Sequence, residues 1–186
     1  MTHLELTTRI SMKWLLSRPW RMLAFGFGSG LSRIAPGTVG TLWAWAVALV
    51  AQLFLPNWSH LNVILILCVG FLLGIWSCGK TGADLGVFDH SGMVWDEIIA
   101  FWLILFFIFP ANWKVQLMAF ILFRFFDIAK PGPIRLIDTY FKNWVPGRIL
   151  GQWPNTVRGF GVMIDDLLAA LFTLLVLSIF AKFGFY

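Results

Sequence analysis

Long apolar stretches separated by polar segments run along most of the chain and predict its helices. Residues 38–55 and 61–78 are 18 apolar-rich positions each. As helices they would be about 27 Å long, which nearly spans a hydrocarbon core of about 30 Å. Because only residues 56–60 separate them, we expect a helical hairpin. A last apolar run, residues 162–181, predicts a further membrane helix.

A third apolar block, residues 98–126, is interrupted in its middle by Pro110, Asn112 and Lys114. Proline removes a helical hydrogen bond, and a lysine is costly inside hydrocarbon. We therefore expect two short helices joined by a turn, which cross the membrane twice or re-enter it. The whole pattern predicts an all-α, multi-pass integral membrane bundle with about four to five membrane helices.

The N-terminal region differs from the rest, so we divide the chain into a basic amphipathic segment, residues 1–25, and a single membrane-embedded domain, residues 26–186. Leu6, Ile10 and Trp14 recur every four positions among basic residues. This spacing is typical of a short helix on an anionic membrane surface. A basic tail that only directs membrane topology is the alternative.

Composition supports the membrane interpretation and suggests an orientation. Hydrophobic residues make up 59% of the chain and charged residues 12%, about half the usual charged share of a soluble domain. Of 14 Lys and Arg residues, 12 lie within residues 1–37, 79–97 and 124–160, leaving only Lys114 and Lys182 elsewhere. The positive-inside rule then predicts a cytoplasmic N-terminus, and the basic excess is topological, with no nucleic-acid partner expected.

Acidic residues beside the apolar runs are the strongest candidates for chemistry. Eight of the nine fall at the predicted cytoplasmic interface: Asp84, Asp89, Asp96, Glu97, Asp127, Asp138, Asp165 and Asp166. The pairs Asp96–Glu97 and Asp165–Asp166 stand where helices are predicted to begin, so helix capping is one interpretation. Asp127, at the end of an apolar block, fits capping less well. Clustered carboxylates repel one another unless neutralised, and a hard divalent cation, Mg²⁺ first, would neutralise them.

Basic residues near these acids supply hydrogen-bond donors for a phosphate, although positive-inside signals alone would also place them there. They are Arg33, Lys80, Arg124, Lys130, Arg135 and Arg158. The stretch 26–41 is too rich in glycine for an ordinary helix and is a candidate oxyanion nest of backbone N–H groups. A flexible linker is the alternative for that stretch.

Two other classes of protein compete with an enzyme. An ion or anion transporter would use a broken membrane helix and carboxylates for cation coupling. The acids collect at one interface, however, and the sequence shows no internal repeat. A purely structural membrane subunit would leave the clustering of acids unexplained.

Four motifs occur in a fixed order over roughly residues 26–171. They are Ala35-Pro-Gly-Thr38-x-Gly40-Thr41, Asp89-His-Ser-Gly-Met-Val-Trp-Asp96-Glu97, Phe123-Arg-Phe-Phe-Asp127-Ile-Ala-Lys130-Pro131-x-Pro133-Ile134 and Gly161-Val-Met-Ile-Asp165-Asp166. Together they resemble the phosphatidylglycerophosphatase A family. The stretch 140–158 looks inserted relative to that family.

The resemblance implies a Mg²⁺-dependent lipid phosphatase of the bacterial cytoplasmic (inner) membrane, with its active site facing the cytoplasm. Its substrate would be the phospholipid phosphatidylglycerophosphate, from which it would remove the terminal phosphate to leave phosphatidylglycerol in the bilayer. Five matched acidic positions would be catalytic, with a subset binding Mg²⁺: Asp96, Glu97, Asp127, Asp165 and Asp166. Arg124 and Lys130 match the family's basic positions and would bind the phosphate, with Arg33 and Thr38 as further phosphate-binding candidates.

Overall fold

In the computed structural model, the described residues are 10–54, 59–142 and 154–184, and within them every regular element is a helix. The elements are α1 (Met12–Leu16), α2 (Pro19–Ala24), a 3-10 segment (Gly26–Leu31), α3 (Pro36–Phe54), α4 (His60–Leu85), α5 (Trp95–Ile108), α6 (Trp113–Ala129), α7 (Pro133–Lys142) and α8 (Pro154–Lys182). The all-α prediction is confirmed for these residues.

Three helices are long and apolar enough to cross a membrane: α3 over Pro36–Phe54, α4 over His60–Leu85 and α8 over Asn155–Lys182. Large apolar side chains point outward from all three, among them Leu53, Leu72 and Leu175. Contiguous apolar surface of this kind is unfavourable in water and is what a lipid-facing helix presents.

The interrupted block divides as predicted. Helix α5 ends at Ile108 and α6 begins at Trp113, so the two have 14 and 17 residues. The Asn112 side chain accepts hydrogen bonds from the backbone N–H groups of Lys114 and Val115, at 2.9 and 3.1 Å. The polar residues that interrupt the apolar pattern therefore start the second helix of the pair.

Two predicted helix boundaries are wrong. Helix α4 continues past residue 78 to Leu85, and α8 begins at Pro154 rather than near residue 162. Asp165 and Asp166 consequently lie eleven and twelve positions inside α8, so the capping interpretation fails for them. Asp96 and Glu97 do occupy the first turn of α5, where negative charge is favourable to the helix dipole, but the N-cap residue is Val94 and no side chain caps this helix.

The glycine-rich stretch is only partly non-helical, which corrects the prediction for residues 26–41. Helix α3 begins at Pro36, so Gly37 and Gly40 are helical. The 3-10 segment before it is kinked at Phe27 and Gly28, whose φ values are +56° and +102°. Proline is favourable at the first position of a helix, which offsets the low helix propensity of the glycines that follow.

Of the predicted N-terminal segment 1–25, residues 1–9, with Leu6, lie outside the described part. The remainder forms two short helices, α1 and α2, instead of one. Leu15 is fully buried and Trp14 packs edge-on against Phe25 at 5.9 Å between ring centroids. The division at residue 25 stays a prediction.

Helix α8 lies at the centre of the bundle and packs against α4, α5, α6 and α7, while α3 packs against α5. Glycines allow α4 and α8 to approach closely. A Cβ atom on Gly159 would overlap the backbone carbonyl of Ile75, and one on Gly79 would overlap that of Asn155. Small residues bring membrane helices into close contact in this way, which gains dispersion energy between backbones.

We expect Gly159→Val to destabilise the protein by about 1–3 kcal/mol, because the added side chain must push α8 away from α4. Thermal unfolding in detergent measures the effect. Ala83→Val, which enlarges an exposed side chain on α4, is the matched control and should unfold near the wild-type temperature. Equal unfolding temperatures for both variants would contradict the close-packing interpretation.

Candidate active site

Three carboxylates from three different helices meet at one end of the bundle. Glu97 comes from the first turn of α5, Asp127 from the last turn of α6 and Asp166 from α8. One oxygen from each lies within 4.8 Å of the others. Asp166 is 3% exposed, and the Glu97 and Asp127 side chains are each 12% exposed. We call these three residues the carboxylate cluster.

Arg124 lies against the carboxylate cluster, one helical turn before Asp127. Its Nη1 is 2.9 Å from Glu97 Oε1 and 2.7 Å from Asp127 Oδ2. Nη1 is thus held between two carboxylates, whereas Nε is buried without a hydrogen-bond partner among the described residues. One guanidinium therefore offsets part of three negative charges and keeps its Nε–H donor available for an oxyanion.

Two oxygens of the carboxylate cluster are unpaired among the described residues. Glu97 Oε2 and Asp166 Oδ2 are buried without a hydrogen-bond partner in the described part of the chain. Buried charged oxygens are costly without partners, so they point to a missing positive ligand. Carboxylate oxygens alone, without sulfur or imidazole, suit a hard metal ion. The residues present therefore fit a metal site.

A second ion-pair group lies beside the first and is centred on Lys130. Its ammonium contacts Asp165 on α8 and lies 2.9 Å from Asp138 Oδ1 on α7. Burial disfavours the charged amine, but the attraction of Asp165 and the hydrogen bonds that the ammonium donates to both carboxylates outweigh it and raise the pKa of Lys130 above its usual value. Lys130 also ends α6 in the left-handed conformation, with φ +41°.

Of the five predicted catalytic acids, three meet and two lie apart from them and from each other. Glu97, Asp127 and Asp166 form the carboxylate cluster, whereas Asp165 pairs with Lys130. Asp96 is buried, and its Oδ1 accepts the backbone N–H of Glu97 at 3.0 Å. Consecutive residues on a helix point about 100° apart, so only one member of each acidic pair faces the cluster.

The predicted phosphate-binding residues are also divided. Arg124 lies in the site, and Lys130 lies beside it with two carboxylates on its ammonium. Thr38 is half-buried in the first turn of α3, next to Gly37. Arg33 is exposed in the segment before α3 and has no ion pair among the described residues.

Two residues of the site were not predicted. A Cβ atom on Gly37 would overlap the Glu97 carboxylate, so this glycine brings the N-terminus of α3 against the carboxylate cluster. Asp138 supplies the second partner of Lys130. The Ala35-Pro-Gly-Thr38 motif and the position of Asp138 among the interfacial acids were the signals in the sequence.

Apolar helices of membrane-spanning length, with carboxylates and an arginine gathered where α5 begins and α6 ends, are the architecture of a helical membrane enzyme with an acidic active site. Comparison with known proteins identifies the family. The family model for phosphatidylglycerophosphatase A matches residues 22–181. The chain belongs to the phosphatidylglycerophosphatase A family.

Three relatives illustrate the similarity. A phosphatidylglycerophosphatase A of Haemophilus influenzae is 44% identical over 161 residues, covering 87% of this chain and 88% of its own. The phosphatidylglycerophosphatase A of Escherichia coli is 38% identical over 159 residues, covering 84% and 80%. A Bacteroides thetaiotaomicron protein, provisionally named a phosphatidylinositol-3-phosphatase, is 34% identical, covering 85% and 91%. No solved structure matches the chain.

Proposed function

We propose that this protein hydrolyses the terminal phosphate of phosphatidylglycerophosphate and leaves phosphatidylglycerol in the bilayer. Membership of the family supports the lipid phosphatase activity. The observation that carries the mechanism is the meeting of Glu97, Asp127 and Asp166 from three distant parts of the chain. Such a buried acidic site needs a positive ligand and is otherwise a costly arrangement in an apolar bundle.

Mg²⁺ is the metal that we propose for the carboxylate cluster, held by Glu97, Asp127 and Asp166. When bound, it would offset the repulsion between the acids and the substrate phosphate and would favour deprotonation of a water molecule. Oxygen-only ligands at the edge of a membrane favour this ion over zinc.

Arg124 is the residue whose geometry best suits the phosphate. Its Nε is buried without a hydrogen-bond partner among the described residues, so it can donate to a phosphoryl oxygen as charge develops there. Glu97 Oε2, the oxygen without a hydrogen-bond partner among the described residues, can accept the proton of the attacking water. The water oxygen forms a bond to phosphorus as the bond from phosphorus to the glycerol oxygen breaks, so inorganic phosphate leaves. The glycerol oxygen takes up the proton held by Glu97 and becomes the hydroxyl group of phosphatidylglycerol.

Lys130 is proposed to act mainly by holding α8 in position. Because its ammonium joins Asp138 on α7 to Asp165 on α8, it fixes the part of α8 that carries Asp166. Its charge also adds positive potential near the phosphate.

Thr38, beside the cluster, is a better candidate for contact with the phosphate than Arg33, whose side chain is exposed before α3.

The orientation follows from charge. We propose four to five membrane helices, with α5 and α6 as the short hairpin, in the bacterial cytoplasmic membrane and with the site facing the cytoplasm. The bacterial relatives and the concentration of 12 of 14 basic residues in three segments support this.

Phosphate release by the purified full chain in detergent micelles tests the proposed function. We expect release from phosphatidylglycerophosphate to require Mg²⁺, to stop with a chelator and to be much faster than release from p-nitrophenyl phosphate, a soluble monoester. Equal rates on the two substrates would contradict the lipid assignment. Ion flux into proteoliposomes without any phosphate release would favour the transporter instead.

A further inference from the structure

A cluster of cations and tryptophans lies where the end of α4 meets α1 and α2. We call it the basic–tryptophan cluster, and it consists of Trp14, Arg18, Trp20, Arg21, Trp76 and Lys80. Its cations lie over indole rings: Arg21 over Trp14 at 4.2 Å, Lys80 over Trp20 at 4.6 Å and over Trp76 at 5.1 Å, and Arg18 over Trp20 at 5.3 Å. None of these residues belongs to the site described above.

The charges in this cluster are not balanced. Asp84 Oδ2 accepts from Arg21 Nε at 2.8 Å and from Trp20 Nε1 at 2.9 Å. Arg18 and Lys80 have no carboxylate within ion-pair distance among the described residues. In the described part of the chain, Arg18, Arg21 and Lys80 thus have one nearby carboxylate, Asp84, whose charge acts on Arg21 and also on Arg18. The remaining positive charge lies among indole rings and leaves the cluster complementary to an anion.

Its position fits the headgroup layer of a membrane. Trp76 and Lys80 lie within the last ten residues of α4, a helix of membrane-spanning length. Tryptophan concentrates at the interface between hydrocarbon and water, and lysine side chains extend toward that layer from within a span. Trp76 is 41% exposed, so its ring is open to surrounding lipid.

The cluster also connects to the helix that carries Glu97. The carbonyl of Ala24, at the end of α2, accepts the backbone N–H of Val94 at 2.8 Å, and α5 begins at the next residue. Thr81 on α4 donates from its hydroxyl to the carbonyl of Trp20 at 3.4 Å. Helix α2 therefore carries part of the cluster and contacts the start of α5 at its own C-terminal end.

We propose that Arg18 and Lys80 bind the phosphate of an anionic bilayer phospholipid, at a site separate from the carboxylate cluster. The two cations supply the charge, and the rings of Trp20 and Trp76 contact the glycerol and the upper acyl carbons. A basic residue near a membrane surface contributes enough attraction for about a fivefold gain in affinity. The bound lipid holds α2 against the leaflet and thereby supports the start of α5.

Lipid retention by the full chain in detergent, measured by native mass spectrometry, tests this proposal. The probes are dioleoyl phosphatidylserine, a diester that carries no phosphate monoester, and dioleoyl phosphatidylcholine as the neutral lipid. We expect wild type to retain phosphatidylserine preferentially, Arg18→Gln and Lys80→Gln each to weaken it about fivefold, and Lys80→Arg to restore it. Lys114→Gln, which removes an exposed lysine at the start of α6, is the control and should bind like wild type.

Several outcomes would overturn the proposal. One is that both glutamine variants retain phosphatidylserine as wild type does, and another is that Lys114→Gln loses as much of it as they do. A third is that inorganic phosphate displaces the lipid more than chloride does at equal ionic strength, which would indicate a site for free anions. Arg18 is exposed, so Arg18→Gln should fold normally. If Lys80→Gln fails to fold, lipid retention by Arg18→Gln alone tests the proposal. Phosphate release in neutral micelles should stay at wild-type level in Arg18→Gln, which separates this proposal from the catalytic one.

Discussion

Asp166→Asn should lose more than about 100-fold in phosphate release while the protein stays folded. The substitution keeps the size of the side chain but removes one of the three carboxylates that are proposed to hold the metal ion. Even partners in the outer shell of a metal site cost about 10- to 100-fold when changed, so a direct ligand should cost more. Steady-state release from phosphatidylglycerophosphate in micelles measures this loss.

Stability should change in the opposite direction for the same variant. Asp166 Oδ2 is buried without a hydrogen-bond partner among the described residues, and its charge adds to that of two neighbours. Neutralising it removes this repulsion, so in a chelator Asp166→Asn should unfold at or above the wild-type temperature. Added Mg²⁺ should stabilise the wild type more than the variant.

Asp84→Asn is the control for Asp166→Asn, because Asp84 pairs with Arg21 far from the carboxylate cluster. We expect it to keep wild-type phosphate release. Full activity in Asp166→Asn would contradict the proposed metal site, and a large loss in both variants would show that the assay reports folding alone.

Arg124→Gln should lower both activity and stability. The change removes the cation that lies within 2.9 Å of Glu97 and 2.7 Å of Asp127. Breaking a buried ion pair on one side costs about 3–5 kcal/mol because a charge is left uncompensated. Loss of the phosphate contact should also lower kcat/KM by more than about 100-fold.

A divalent cation should partly rescue the stability of Arg124→Gln but not its activity. The ion supplies positive charge to the same carboxylates, whereas it does not replace the guanidinium donors. Unfolding temperatures with and without Mg²⁺ provide the measurement, and Arg135→Gln, an exposed cation on α7, is the control. A wild-type kcat/KM for Arg124→Gln would exclude a phosphate-binding role for this residue.

The apolar pattern predicts the helix boundaries well where a local feature of the sequence determines them. Residues 98–126 divide at Asn112 because its side chain caps the second helix, and both features are local. The predicted start of α8, near residue 162, is too late because Gly159 and Gly161 have low helix propensity when the sequence is considered alone. In the folded chain those glycines lie where α8 closely approaches Ile75 and Phe141, a tertiary contact that overrides local propensity.

The residue types of the site were predictable, but their arrangement was not. Asp96 and Glu97 are equivalent as a sequence pair, yet only Glu97 faces Asp127 and Asp166. Which of two neighbours faces inward depends on the rotation of the helix, and that is fixed by packing far along the chain. The same applies to Asp165, whose contact with Lys130 depends on where α6 ends.

Because α8 is made last and lies at the centre of the bundle, the order of synthesis determines when the three carboxylates can meet. A ribosome that has made α5 and α6 has delivered Glu97 and Asp127, but Asp166 follows almost forty residues later. Until then the nascent chain carries two of the three carboxylates and lacks the helix against which four others pack. Membrane insertion of α8 is thus the step that would complete the proposed catalytic centre, so a chain interrupted earlier should be inert toward the lipids around it.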